Sequence, residues 1–89
     1  MATVHLMISG KVQGVFFRAS AKEKALELAL NGWIKNTPDG SVEATVSGSD
    51  ESIQQFVAWC RQGPPRAEVS HVSVTPKPDS GFNGFEVLR

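Results

Sequence analysis

The sequence predicts an α+β fold of the ferredoxin-like, split βαβ kind: βαββαβ plus a short C-terminal strand, an antiparallel sheet with two helices on one face. Three observations predict it. Val4-Leu6-Ile8 and Val42-Ala44-Val46 alternate with polar residues at period two, as strands do. Ala21, Ala25, Leu28 and Ala29, and later Ile53, Phe56, Val57 and Cys60, recur at spacings of three and four, as on one helix face. Turn formers stand between these segments.

The first strand is expected to end at Gly10, and the first helix to run over residues 18–30 and stop at Asn31-Gly32, which tolerate positive φ. Gly32-Trp33-Ile34-Lys35-Asn36 is the second strand. Thr37-Pro38-Asp39-Gly40 is a turn: Pro presets φ and Gly allows the left-handed exit. It joins the second strand to the third in a hairpin. Ser49 suits an N-cap, with Asp50 and Glu51 placed against the helix dipole. Gly63-Pro64-Pro65 stops the second helix. Residues 67–75 form a valine-rich strand whose alternation slips between Val69 and Val72, pointing to a bulge or a late start. A loop, Pro76 to Gly84, leads to the final strand, Phe85 to Leu88.

Length and composition set the bounds. The 89 residues suit a single domain, 1–89. Lys+Arg and Asp+Glu are both 9, so no surplus cation favours non-specific nucleic-acid binding. The lone Cys60 permits no intramolecular disulfide. The N-terminus carries no signal-peptide pattern, and no run approaches the roughly 20 apolar residues of a membrane helix. A cytoplasmic monomer, with neither nucleic-acid nor membrane partner, is expected.

The first strand-to-helix loop, GKVQGVFFR at residues 10–18, is the candidate anion site. Glycines at 10 and 14 let successive N–H groups converge into a concave nest for an anion. The following helix N-terminus adds free N–H groups and the positive end of its dipole. Arg18 sits at that end, where a cation is unfavourable for the helix itself but its fork suits a phosphate or carboxylate. Glycine-containing loops and surface arginines are also common without function, so the residues alone leave both readings open. No Gly-Lys-Ser/Thr follows, so this is not a Walker loop.

The stretch Gly10-Lys11-Val12-Gln13-Gly14-Val15-Phe16-Phe17-Arg18 closely resembles the signature of the acylphosphatase family. Gly32-Trp33-Ile34-Lys35-Asn36, followed by Asp39-Gly40-Ser41-Val42-Glu43, resembles the family's second segment at the expected separation. The Arg61-Gln62-Gly63-Pro64-Pro65 helix end and the closing Gly84-Phe85-Glu86-Val87 are also similar, so the resemblance spans the chain. It implies the same ferredoxin-like fold and hydrolysis of acyl phosphates to carboxylate and inorganic phosphate, with phosphate as product and competitive inhibitor. By position it implies that Arg18 binds phosphate, that Asn36 orients the attacking water, and that the backbone N–H groups of Gln13, Gly14, Val15, Phe16, Phe17 and Arg18 form the cradle. One departure is Ala19, where many relatives carry a larger residue; this bears on substrate preference or stability.

That chemistry asks for little else. The leaving carboxylate has a conjugate acid of pKa about 4, so it needs no general acid. Phosphoryl transfer through a loose transition state needs positioning and charge stabilisation. Arg18 and the loop N–H groups suit the second task, and a neutral amide such as Asn36 can hold a water. No metal or other cofactor is expected, for the sequence lacks HxxEH, CxxC and an acidic cluster. His5 and His71 are read as ordinary sheet residues, Cys60 as a buried thiol, and Trp33 and the phenylalanines mainly as core, with Phe16 or Phe17 free to line the acyl side of the pocket. Asn36 also has a purely local reading, as an Asn before a turn. RNA-recognition modules share the element order but place aromatics on the two central strands; Ser41-Val42-Glu43-Ala44-Thr45-Val46 has none. A non-catalytic anion-binding domain is the other rival, and the presence of both Arg18 and Asn36 argues for the enzyme.

Overall fold

The computed structural model describes residues 2–78 and 81–88. The elements run β1 (Ala2–Lys11), α1 (Phe17–Glu27), β2 (Asn31–Asn36), β3 (Val42–Gly48), α2 (Asp50–Gln62), β4 (Glu68–Lys77) and β5 (Phe85–Val87). They build one sheet of order β4-β1-β3-β2-β5. The four long strands pair antiparallel, as expected. β5 instead lies parallel to β2, which makes the sheet mixed.

The alternation decides which face is covered. Leu6, Ile8, Ile34, Val42, Ala44 and Val46 turn to one face and are fully buried. Both helices pack there, α1 against β2 and β5, α2 chiefly against β4, β1 and β3. Phe56 and Cys60 close the core from α2, Ala21 and Ala25 from α1. Each large apolar side chain so buried contributes roughly 1.5–3 kcal/mol. The other face is open and polar. On it His5 pairs with Glu43 at 2.6 Å, and the Lys35 ammonium lies 3.6 Å from the same carboxylate and 5.4 Å from the centre of the Trp33 ring. Trp33 is therefore half-buried on the open face rather than a core residue.

α2 is built as its sequence dictates. The Ser49 hydroxyl accepts from the Ser52 N–H at 3.1 Å, with Asp50 and Glu51 in the first turn. α1 departs from expectation at its C-terminus. It stops at Glu27, not at Asn31-Gly32, because Ala29 adopts the left-handed conformation (φ 57°). Leu30 N–H then donates to Ala25 C=O at 2.8 Å and Ala29 N–H to Leu26 C=O at 3.1 Å, the Schellman pattern, with Leu30 buried beneath. Glycine is usual where Ala29 stands, so the sequence hides this stop.

β1 runs past Gly10 to Lys11. A Cβ on Gly10 would lie 2.2 Å from the Glu68 carbonyl oxygen, so the close crossing of β1 and β4 requires glycine there. At this point Ser9 pairs with His71 and Gly10 with Val69, leaving Ser70 as the extra residue of a bulge in β4. That is the slip visible between Val69 and Val72. β4 extends to Lys77 through Pro76, which an edge strand tolerates. The remainder of the loop expected at 76–84 includes residues 79 and 80, outside the described residues.

Candidate active site

Between β1 and α1 the chain alternates in burial. Val12, Val15 and Phe17 point inward and are nearly inaccessible, while Gly14 and Phe16 face out. Phe17 meets Trp59 edge-on at 5.4 Å, which pins the start of α1 to α2. The inward anchors fix the loop, and its backbone turns through two left-handed residues, Gly14 at φ 73° and Phe16 at φ 63°. No neighbour crowds a Cβ at residue 14, so its dihedral alone calls for glycine. Alternating hands of this kind bring successive N–H groups to one side. Gly10, being in β1, takes no part; Gly14 and Phe16 shape the turn.

The N-terminus of α1 is left open. Phe16 stands at the N-cap position with no side-chain capping bond, and the first turn has no acid. Those orphan N–H groups and the positive dipole end carry no internal counter-charge. Arg18 sits there, half-buried, and its Nη1 donates to the Leu88 carbonyl oxygen at 2.9 Å. Asn36 comes to the same place from the end of β2. Val12, Gly14, Phe16, Phe17, Arg18, Ala19, Asn36 and Val87 line one cleft of about 330 Å³. The residues read from sequence as binding and catalytic, Arg18 and Asn36, are thus brought together, 18 positions apart in the chain.

Two further contacts brace the site, and neither was legible beforehand. The Gln13 side-chain amide donates both its hydrogens, to Thr37 C=O and Ser41 C=O, at 2.8 Å each. It clips the loop to the hairpin that carries Asn36. The hairpin turn is itself stiffened: Thr37 Oγ1 bonds Asp39, and the Ser41 N–H donates to both side chains at 3.1 Å. The Thr37 hydroxyl, followed by the Ser41 N–H, holds the Asp39 carboxyl below its ordinary pKa. The second contact is the Leu88 carbonyl, 70 positions from Arg18.

Other sequence candidates lie elsewhere. His5 and His71 are on the open face, bonded to Glu43 and Ser73. Cys60 is in the core, and burial pushes its thiol far up. Phe16 is not a core residue but 74% exposed at the rim of the cleft. Among the described residues no group of three His, Cys, Asp or Glu could hold a metal ion, and no helix is long and apolar enough to cross a membrane.

Comparison with known proteins matches this arrangement to one family. The family model described as Acylphosphatase fits residues 4–87. The acylphosphatase of Methylococcus capsulatus is 49% identical over 90 residues, covering 100% of this chain and 98% of that protein. The crystal structure of acylphosphatase from Bacillus subtilis superposes with a TM-score of 0.96 at 33% identity, over 100% of both chains. An acylphosphatase structure from Coxiella burnetii gives 0.95 at 42% identity, over 98% of this chain and 92% of that one. With near-complete coverage and this level of identity, the chain belongs to the acylphosphatase family, the hydrolases that split acyl phosphates into carboxylate and phosphate.

Proposed function

We propose that the loop at residues 13–18 holds the phosphoryl group of an acyl phosphate, that Arg18 neutralises it, and that Asn36 orients the attacking water. The observation that carries this reading is the uncapped, acid-free N-terminus of α1 with Arg18 upon it and Asn36 in the same cleft. A site with positive potential and no internal anion is suited to an external one. The guanidinium keeps donors beyond the Leu88 bond for phosphoryl oxygens. As the P–O bond to the carboxylate loosens, negative charge stays on those oxygens, where loop N–H groups and Arg18 meet it. The carboxylate departs unprotonated. Asn36 gives the water a place in line rather than a base. The reaction on this reading is metal-independent, and inorganic phosphate is both product and competitive inhibitor. We read the protein as a single-domain cytoplasmic monomer with neither nucleic-acid nor membrane partner.

Titrating inorganic phosphate into ¹⁵N-labelled protein tests the assignment. Amide resonances of residues 13–18 and the Arg18 side-chain signal are expected to shift together with one saturating curve. Shifts confined to another part of the chain would contradict it.

A further inference from the structure

Phe16 is placed where neither backbone nor core has use for a large apolar residue. Its φ of 63° and ψ of 24° lie in the left-handed region, an outlier conformation for a bulky side chain. Glycine would take the same dihedrals without strain and still offer the same N–H. The ring does not earn its place by packing: Val12, Val15 and Phe17 are at most 6% exposed, whereas Phe16 is 74% exposed. It is the most exposed of the large apolar side chains among the described residues. Another of that exposed set, Val87, lines the same cleft from β5.

The lining divides by chemistry. Arg18, Asn36 and the loop backbone face the phosphoryl group on the reading above. The other lining side chains, Val12, Phe16, Phe17, Ala19 and Val87, are all apolar, and of these Phe16, Ala19 and Val87 are exposed and left to meet the acyl group. Arg18 is the one charged residue of the lining, so a second anionic group on the substrate would find no partner there. Ala19, next to Arg18 in the chain, adds only a methyl group to the lining.

We propose that Phe16 is the specificity-determining residue for the acyl group, its ring and Val87 forming an apolar platform that favours acyl phosphates with uncharged, aromatic acyl groups. The strain and exposure of Phe16 are then offset when substrate covers the ring. The proposal rests on the phosphate assignment of the preceding subsection.

The test is the ratio of kcat/KM for benzoyl phosphate to that for acetyl phosphate, in wild type, Phe16→Gly and Phe16→Trp. Any effect of the substitution on the phosphate cradle is common to both acyl phosphates and cancels in the ratio. An aromatic contact of this kind predicts a fall of about 3- to 10-fold in the ratio for Phe16→Gly. Phe16→Trp, which keeps an aromatic face, is expected to retain the wild-type ratio or raise it. An unchanged ratio in Phe16→Gly, or a fall of equal size in Phe16→Trp, would overturn the proposal. Failure of the phosphate assignment is told apart from this by the phosphate titration above: the amides of residues 13–18 would then not shift, whatever the ratio does.

Discussion

The Arg18 guanidinium donates from Nη1 to the carbonyl oxygen of Leu88 at 2.9 Å, so the last described residue of the chain holds the side chain at the mouth of the cleft. Leu88 is itself fixed by its N–H, which donates to Ile34 C=O at 2.7 Å, just beyond the parallel pairing of β5 with β2. The strand that completes the sheet therefore also aims the arginine. Lysine at this position keeps the charge but has no planar fork to serve the carbonyl and a phosphate at once. Arg18→Lys is expected to lose about 10²-fold in kcat/KM, and steady-state kinetics against wild type would show it.

Gln13 couples the loop to the hairpin through its two bonds to Thr37 and Ser41 carbonyls. Gln13→Leu frees the hairpin end that bears Asn36. Asn36→Ala should lower kcat more than it weakens phosphate inhibition, because water positioning acts in the chemical step. Gln13→Leu should lower kcat in the wild type, yet cost markedly less once Asn36 is already alanine. A double-mutant cycle in kcat measures this, and strict additivity would assign Gln13 a role unrelated to Asn36.

Ala29 closes α1 in a conformation that disfavours any Cβ. Ala29→Gly should stabilise the fold by about 1 kcal/mol, raising Tm by roughly 5 °C, with activity unaffected by this distant change. Thermal unfolding checks it.

Cys60 is fully buried, and desolvation raises its thiol pKa far above the ordinary value. Below about pH 8.5 the thiol is protonated in both folded and unfolded chains, and the full benefit is present. Above that, the unfolded chain releases a proton that the folded chain keeps, so stability falls as pH rises, by up to about 1.4 kcal/mol per pH unit. Urea unfolding at pH 8 to 10 should show this slope in wild type and lose it in Cys60→Ala.

Much of this was legible in the sequence because local signals agreed with the final packing. Ser49, the apolar spacing to Cys60 and Gly63 set α2 without outside help. The slip between Val69 and Val72 marked the β4 bulge, and Gly14 and Arg18 marked the strand-to-helix turn that lines the cleft. The remainder is non-local or contrary to propensity. Ala29 ends a helix where glycine was the expected sign. The parallel docking of β5 depends on partners far along the chain, the Gly32 N–H bonded to Gly84 C=O and Phe85 against Phe56. The braces at Gln13 and Leu88 join positions 24 to 70 apart, which no periodicity records.

Hydrolysis of benzoyl phosphate in EDTA, by wild type and by Arg18→Ala, tests the central claim most directly. The expected result is metal-independent turnover by wild type and a loss of about 10²–10³-fold or more in the variant, together with loss of phosphate inhibition. Near-normal turnover by a folded Arg18→Ala would contradict the assignment of the site.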